Sequence, residues 1–230
     1  MRHRIFIDAI QPTVTVSGDE FHHSVRVVRL REGEDVEVFD RAGKIAHANV
    51  ASIGRDHAVL TVGEEIASRE SPLELTLAMA IIQLEKFELV LQKATELGVR
   101  SIIPLVTDRI EVRAERYAGK SERWERILFE AVKQSGRSVV PNIESPAKFD
   151  EVIAREGTKI FFDADAPPST AQPRDRATAF IGPEGGWSER ELQLAREHHA
   201  EFQRLGPRRL RAETAAIAAV AILAARFGDL

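Results

Sequence analysis

Phe180-Ile181-Gly182-Pro183-Glu184-Gly185-Gly186-Trp187-Ser188-Glu189-Arg190-Glu191 carries an apolar run into a glycine-rich bend and then into a helix start. Ala177 to Ile181 is apolar enough for a buried strand. Three glycines let the backbone approach a ligand closely, and Ser188 with Glu191 fits a capping box that opens the next helix. The same logic returns in Phe202-Gln203-Arg204-Leu205-Gly206-Pro207-Arg208-Arg209-Leu210-Arg211-Ala212-Glu213-Thr214-Ala215, where a short strand meets Gly-Pro, a charged loop and an alanine-rich helix. Two such units in succession put adjacent loops at one end of a sheet, where open α/β folds bind ligands. The bend has neither the P-loop spacing nor the dinucleotide fingerprint, and read alone it is equally compatible with a tight turn.

Working outward, residues from Leu73 onward alternate strand and helix. Strands are expected at Leu75 to Ile81, Ser101 to Val106, Lys159 to Phe162, Thr178 to Ile181 and Glu201 to Leu205. Helices are expected at Glu85 to Leu97, Ser121 to Ser135, Glu189 to His198 and Glu213 to Arg226. That order predicts a parallel sheet flanked by helices. Gly98 sits where a helix C-cap belongs, and Ala164 to Arg176 reads as one exposed loop. Residues 3 to 66 behave differently: short alternating runs at Arg4 to Asp8, Thr13 to Ser17, Asp35 to Phe39, Ile45 to Ser52 and Ala58 to Val62 suggest a small barrel, with one helical piece at Glu20 to Leu30. Arg69-Glu70-Ser71-Pro72 marks the boundary, giving domains at 1–70 and 72–230.

The chain has 230 residues, enough for a substantial core, and no cysteine, which excludes disulfides, zinc-thiolate sites and cysteine nucleophiles. Charged residues stand at the start of the chain where a signal peptide needs an apolar run, and the apolar run Ala215 to Ala225 is far short of the roughly 20 residues that span a bilayer. No membrane association and a cytoplasmic location are therefore expected. A net charge of −4 argues against coating nucleic acid through global positive charge, so any RNA contact is a local patch. The adjacent pairs His22-His23 and His198-His199 lack metal-ligand spacing, and no metal site is expected.

Together with Leu91-Gln92-Lys93-Ala94-Thr95-Glu96-Leu97-Gly98-Val99, Thr107-Asp108-Arg109 and Glu130-Ala131-Val132-Lys133-Gln134-Ser135-Gly136-Arg137, the two glycine loops resemble the RsmE family of SPOUT-superfamily RNA methyltransferases over nearly the whole chain. The resemblance implies a parallel α/β sheet with a C-terminal trefoil knot, preceded by a PUA-like RNA-binding β-barrel, and a homodimer. It implies methyl transfer from S-adenosyl-L-methionine to N3 of uridine 1498 in the 16S ribosomal RNA of the small ribosomal subunit. A non-catalytic RNA-binding assembly factor of the same fold, and a methyltransferase with another RNA target, are the alternatives. One departure is visible: the family carries a lysine where this chain has Gln83, with Lys86 three residues on.

On that resemblance the cofactor is expected against Ile181, Gly182, Pro183, Glu184, Gly185 and Gly186 of the first loop and Leu205, Gly206, Leu210, Arg211 and Thr214 of the second. The loop after Phe162-Asp163 offers a third wall. Attack by uracil N3 requires loss of a weakly acidic proton and stabilisation of charge on the flanking carbonyl oxygens. A carboxylate suits the first task and an arginine the second. Glu213 is the candidate base and Arg211 the candidate electrostatic catalyst, although Glu213 also suits the positive end of a helix dipole. RNA contacts are expected from Arg2, Arg4, His22, Arg26, Arg29, Arg137, Arg208 and Arg209.

Overall fold

The computed structural model describes residues 2–111, 117, 119–168 and 175–230. It divides into two compact units, Met1–Glu70 with Val132–Val139, and Ser71–Ala131 with Val140–Leu230. The first unit thus takes in eight residues that a single cut at 70 leaves with the second.

The first unit is a small curled sheet of β1 (His3–Phe6), β2 (Thr13–Ser17), β3 (Asp35–Phe39), β4 (Ile45–Ile53) and β5 (His57–Ile66), in the order β1-β3-β4-β5-β2. Only the β1–β3 pairing is parallel. Alternate residues Ile5, Val16, Val36, Val38, Val50 and Leu60 form its core. β5 outlasts the expected Ala58–Val62 because two register shifts let β4 keep pairing with the polar tail as far as Ile66. The expected Glu20–Leu30 helix is instead a short α1 (Gly18–Phe21) continuing as a π-helical turn, His22–Val27, and Arg29 at φ 65° ends it.

Arg4 and Arg137, expected on an RNA surface, are interior, at 5% and 4% exposure. The Arg4 guanidinium donates to the carbonyls of Val132 at 3.0 Å, in the last turn of a helix, and of Arg137 at 2.6 Å. Glu37 faces Arg4 at 3.4 Å and accepts two hydrogen bonds of 2.9 Å from Arg69. Gly136, at φ 81°, turns the chain so that Arg137 points back onto Glu70 at 2.6 Å. Burial works against the Glu70 carboxylate, but the Arg137 guanidinium and the amides of Ser138 and Val139 outweigh it and hold its pKa below the usual range.

The second unit has β6 (Glu74–Ala80), α2 (Leu84–Glu96), β7 (Ser101–Val106), α3 (Ser121–Ser135, its last turn in the first unit), β8 (Asn142–Ile143), β9 (Ala147–Lys148), α4 (Phe149–Ile153), β10 (Thr158–Phe162), β11 (Arg176–Ile181), α5 (Glu189–Glu197), β12 (Glu201–Gln203) and α6 (Ala212–Phe227). All its strands pair in parallel, in the order β12-β10-β11-β6-β7-β8, with β9 also on β7. The alternation of side chains splits the core in two. Leu77, Ile160 and Ile181 pack under α2 and α6, while Ala78, Phe161 and Phe180 pack under α4 and α5. A parallel sheet covered on both faces explains why these strands read as continuous apolar runs.

Two polar residues of α2 lie inside. Glu88 is neutralised by Arg123 at 2.6 Å, and the Thr95 hydroxyl donates to the Leu91 carbonyl at 2.7 Å. Gly98 closes α2 at φ 90°, in the left-handed conformation that favours glycine. Of the Ala164–Arg176 loop, residues 169–174 lie outside the described residues.

Candidate active site

In the second unit the C-terminal ends of β10, β11 and β12 open onto one cleft of about 640 Å³. Three walls surround it: Phe162 to Asp165 after β10, Ile181 to Trp187 after β11, and Leu205 to Ala212 after β12, with Arg109 at the mouth. Both glycine loops, separate in sequence, therefore converge. Ile181, Gly182, Pro183, Glu184, Gly185, Gly186, Leu205, Gly206, Leu210 and Arg211 all line the cleft, as do Arg208 and Arg209. Thr214 is exposed on the first turn of α6 and is not among the lining residues.

The first loop is bare backbone by necessity. A methyl group at Gly182 would stand 2.9 Å from the Trp187 indole, and one at Gly185 would stand 3.3 Å from Arg109. Gly186 at φ 70° and Gly206 at φ 125° hold conformations that side chains resist. Trp187, 6% exposed, donates its indole N–H to the Phe162 carbonyl at 3.0 Å and packs at a tilt against Phe161, 4.4 Å between centroids.

The capping box at the start of α5 is complete, with Glu191 N donating to Ser188 Oγ at 3.1 Å and Ser188 N to Glu191 Oε2 at 2.9 Å. Glu191, wholly buried, also accepts from the Asp108 amide at 2.9 Å, tying the loop after β7 to the first glycine loop. Asp108 in turn holds Arg190 at 2.7 Å and Ser188 Oγ at 2.5 Å, and these bonds keep its carboxyl below the usual range. Arg190 reaches Asp150 as well, at 2.8 Å, and its neighbour across the loop, Arg109, donates to the Gly185 carbonyl at 3.2 Å. Lys86, three residues past Gln83, meets Glu184 at 3.4 Å.

Arg211 is the N-cap of α6 and is exposed to the cleft, two residues ahead of Glu213. Glu213 is half-buried in the first turn, and its Oε2 atom is enclosed with no hydrogen-bond partner among the described residues. Arg208 and Arg209 are exposed in the second loop. In the first unit Arg2, His22, Arg26 and Arg29 are exposed, with Arg2 donating to His47 at 2.8 Å and Arg26 to the Arg55 carbonyl at 3.3 Å. Val27 and Val28 stand exposed between the last two arginines, at 60% and 41%. Among the described residues no group of three or more His, Asp or Glu could hold a metal ion, and no helix is long and apolar enough to cross a membrane.

The doubly covered parallel sheet with glycine loops at its carboxyl end, and the small curled sheet that precedes it in the chain, each match a family model of RNA methyltransferases. The family described as RNA methyltransferase domain matches residues 69–224, and that described as RNA methyltransferase PUA domain matches residues 16–63. The Aquifex aeolicus ribosomal RNA small subunit methyltransferase E is 30% identical over 203 residues, 86% of this chain and 88% of the relative. Its Synechocystis counterpart is 33% identical over 225 residues, 92% of this chain and 73% of the relative. The solved Neisseria gonorrhoeae ribosomal RNA small subunit methyltransferase E, bound to S-adenosyl methionine, superposes with a TM-score of 0.88 at 31% identity, over 100% of both chains. A Legionella pneumophila protein in complex with SAM gives 0.84 at 33% identity, again over 100% of both chains. The chain belongs to the ribosomal RNA small subunit methyltransferase E family.

Proposed function

We propose that the protein transfers a methyl group from S-adenosyl-L-methionine to N3 of uridine 1498 in 16S ribosomal RNA. The observation that carries this reading is the convergence of two glycine loops on one cleft with Arg211 at its edge. The residues present fit the cofactor: glycines at 182, 185 and 186 bring bare main chain to the cleft, close enough to read adenine, and the walls carry both acidic and basic side chains. When bound, the cofactor supplies an electrophilic methyl on a sulfonium that becomes a neutral thioether on transfer, so no metal is needed.

The chain's own residues then manage the proton and the charge. Glu213, in the first turn of α6 two residues past Arg211, takes the N3 proton. Arg211 lies against the uracil carbonyl oxygens, where negative charge develops as the N3–H bond breaks. The N3 lone pair forms the new N–C bond as the methyl–sulfur bond breaks. Arg208 and Arg209 at the cleft, and Arg2, His22, Arg26 and Arg29 on the first unit, hold RNA phosphates. Action on ribosomal RNA makes the cytoplasm the place of work.

We also infer a trefoil knot and a homodimer. The knot is supported by the insertion of β11 between β6 and β10, followed by β12 on the far side and the return of α6 over β11 and β6. The alanine-rich α6 suits close helix approach between copies. The testing experiment is Arg211→Ala: transfer falls by at least about a hundredfold, in line with loss of one charge-stabilising donor, while cofactor binding persists. An Arg211→Ala protein that methylates normally refutes the assignment.

A further inference from the structure

Resting on the cofactor assignment above, we propose that Trp187 is a positioning residue for the cofactor, a strut that sets the first glycine loop against the wall formed by Phe162 to Asp165. Its indole N–H donates to the Phe162 carbonyl at 3.0 Å, so one buried hydrogen bond links the loop after β11 to the exit of β10. The ring lies close enough under Gly182 that only hydrogen fits between them, since a methyl there would be 2.9 Å from the indole. Phe161 at 4.4 Å and Phe149 at 5.4 Å fix the ring from the other side. The indole borders the cleft while being 6% exposed. A side chain held in this way carries core rigidity to a loop that holds three glycines, which lowers the entropy lost when a ligand orders it.

The step depends on the N–H as well as on the ring. Phenylalanine keeps an aromatic surface under Gly182 and leaves the Phe162 carbonyl without this donor. The sulfur isostere of tryptophan, benzothienylalanine, keeps the full bicyclic shape and removes only the N–H. The test measures cofactor binding by calorimetry and steady-state methyl transfer for the wild type, Trp187→Phe and the isostere, with thermal unfolding alongside. The expected result is a Kd and KM for S-adenosylmethionine raised about tenfold in both variants, with the rate at saturating cofactor and the KM for RNA retained. Wild-type tryptophan emission changes on cofactor addition, and the change is lost in Trp187→Phe, where only the core residue Trp124 remains. An unchanged cofactor Kd in the isostere overturns the proposal, as does a loss of rate, RNA affinity and stability together without a cofactor-specific effect. Failure of the wild type to bind cofactor overturns the assignment of the cleft and this inference with it.

Discussion

Replacing Glu191 by alanine removes a carboxylate that is wholly buried and accepts two backbone hydrogen bonds, from Ser188 and from Asp108, each 2.9 Å long. A hydrogen bond to a charged acceptor contributes about 1.5–3 kcal/mol. Taking the lower figure for both, because removal of a buried charge offsets part of the loss, gives about 3 kcal/mol. At roughly 2–4 °C per kcal/mol for a chain of this size, the melting temperature drops by about 6–12 °C. A capping box acting alone would cost about 1 kcal/mol, which is about 2–4 °C. The two cases separate cleanly in a thermal melt followed by circular dichroism. Glu191→Gln, which keeps one acceptor oxygen, should fall between them. Because the Asp108 bond anchors the first glycine loop, cofactor affinity should decline in the same order. A shift of only about 2–4 °C for Glu191→Ala would mean that this residue caps its own helix and ties nothing to the loop after β7.

Glu70 has a pKa held below its ordinary value of 4.5, so the stability it contributes is present above that pH and is lost as the pH falls through the lower, folded-state value. Melting temperatures of the wild type and Glu70→Gln should therefore differ at pH 7 and converge as the pH falls well below 4.5, and a constant gap across that range would contradict the Arg137 pairing. Arg4→Ala opens two buried carbonyls and removes one partner of Glu37, which keeps Arg69. A loss near the low end of the range for a broken buried pair, about 3 kcal/mol, is expected in urea unfolding of the first unit, and a loss under about 1 kcal/mol would refute the role. Gly182→Ala forces the first loop off the indole. Overpacking of about 1–3 kcal/mol should weaken cofactor binding by roughly five- to a hundredfold in calorimetry, and unaltered binding would show that the loop has slack.

Local signals were readable wherever the cause lay within a few residues. The Ser188 and Glu191 side chains announced a helix start, Gly98 a helix end, and the run Ala177 to Ile181 a buried strand, because capping and apolar continuity are short-range. β8, β9 and α4 escaped notice because elements of two and five residues show no period, and α4 has no side-chain cap. Charge misled more than hydrophobicity. Arg4 and Arg137 looked like surface cations, yet their partners are the carbonyls and carboxylates of segments 33 to 133 positions away, which no window along the chain can reveal. Glu88 and Thr95 likewise took interior positions through Arg123 and the Leu91 carbonyl. At the cleft, the two glycine loops and the third wall were legible as motifs. Arg109 against Gly185 and the Trp187 bond to Phe162 were not, since each is a meeting of loops from different strands.

Methyl transfer from labelled S-adenosylmethionine to small ribosomal subunits that lack the modification, with mass spectrometry locating the product, tests the central claim most directly. The account predicts one N3-methyluridine, at position 1498 of 16S RNA. A methyl group on a ribose or another base, or no incorporation by a protein that binds the cofactor, would contradict it.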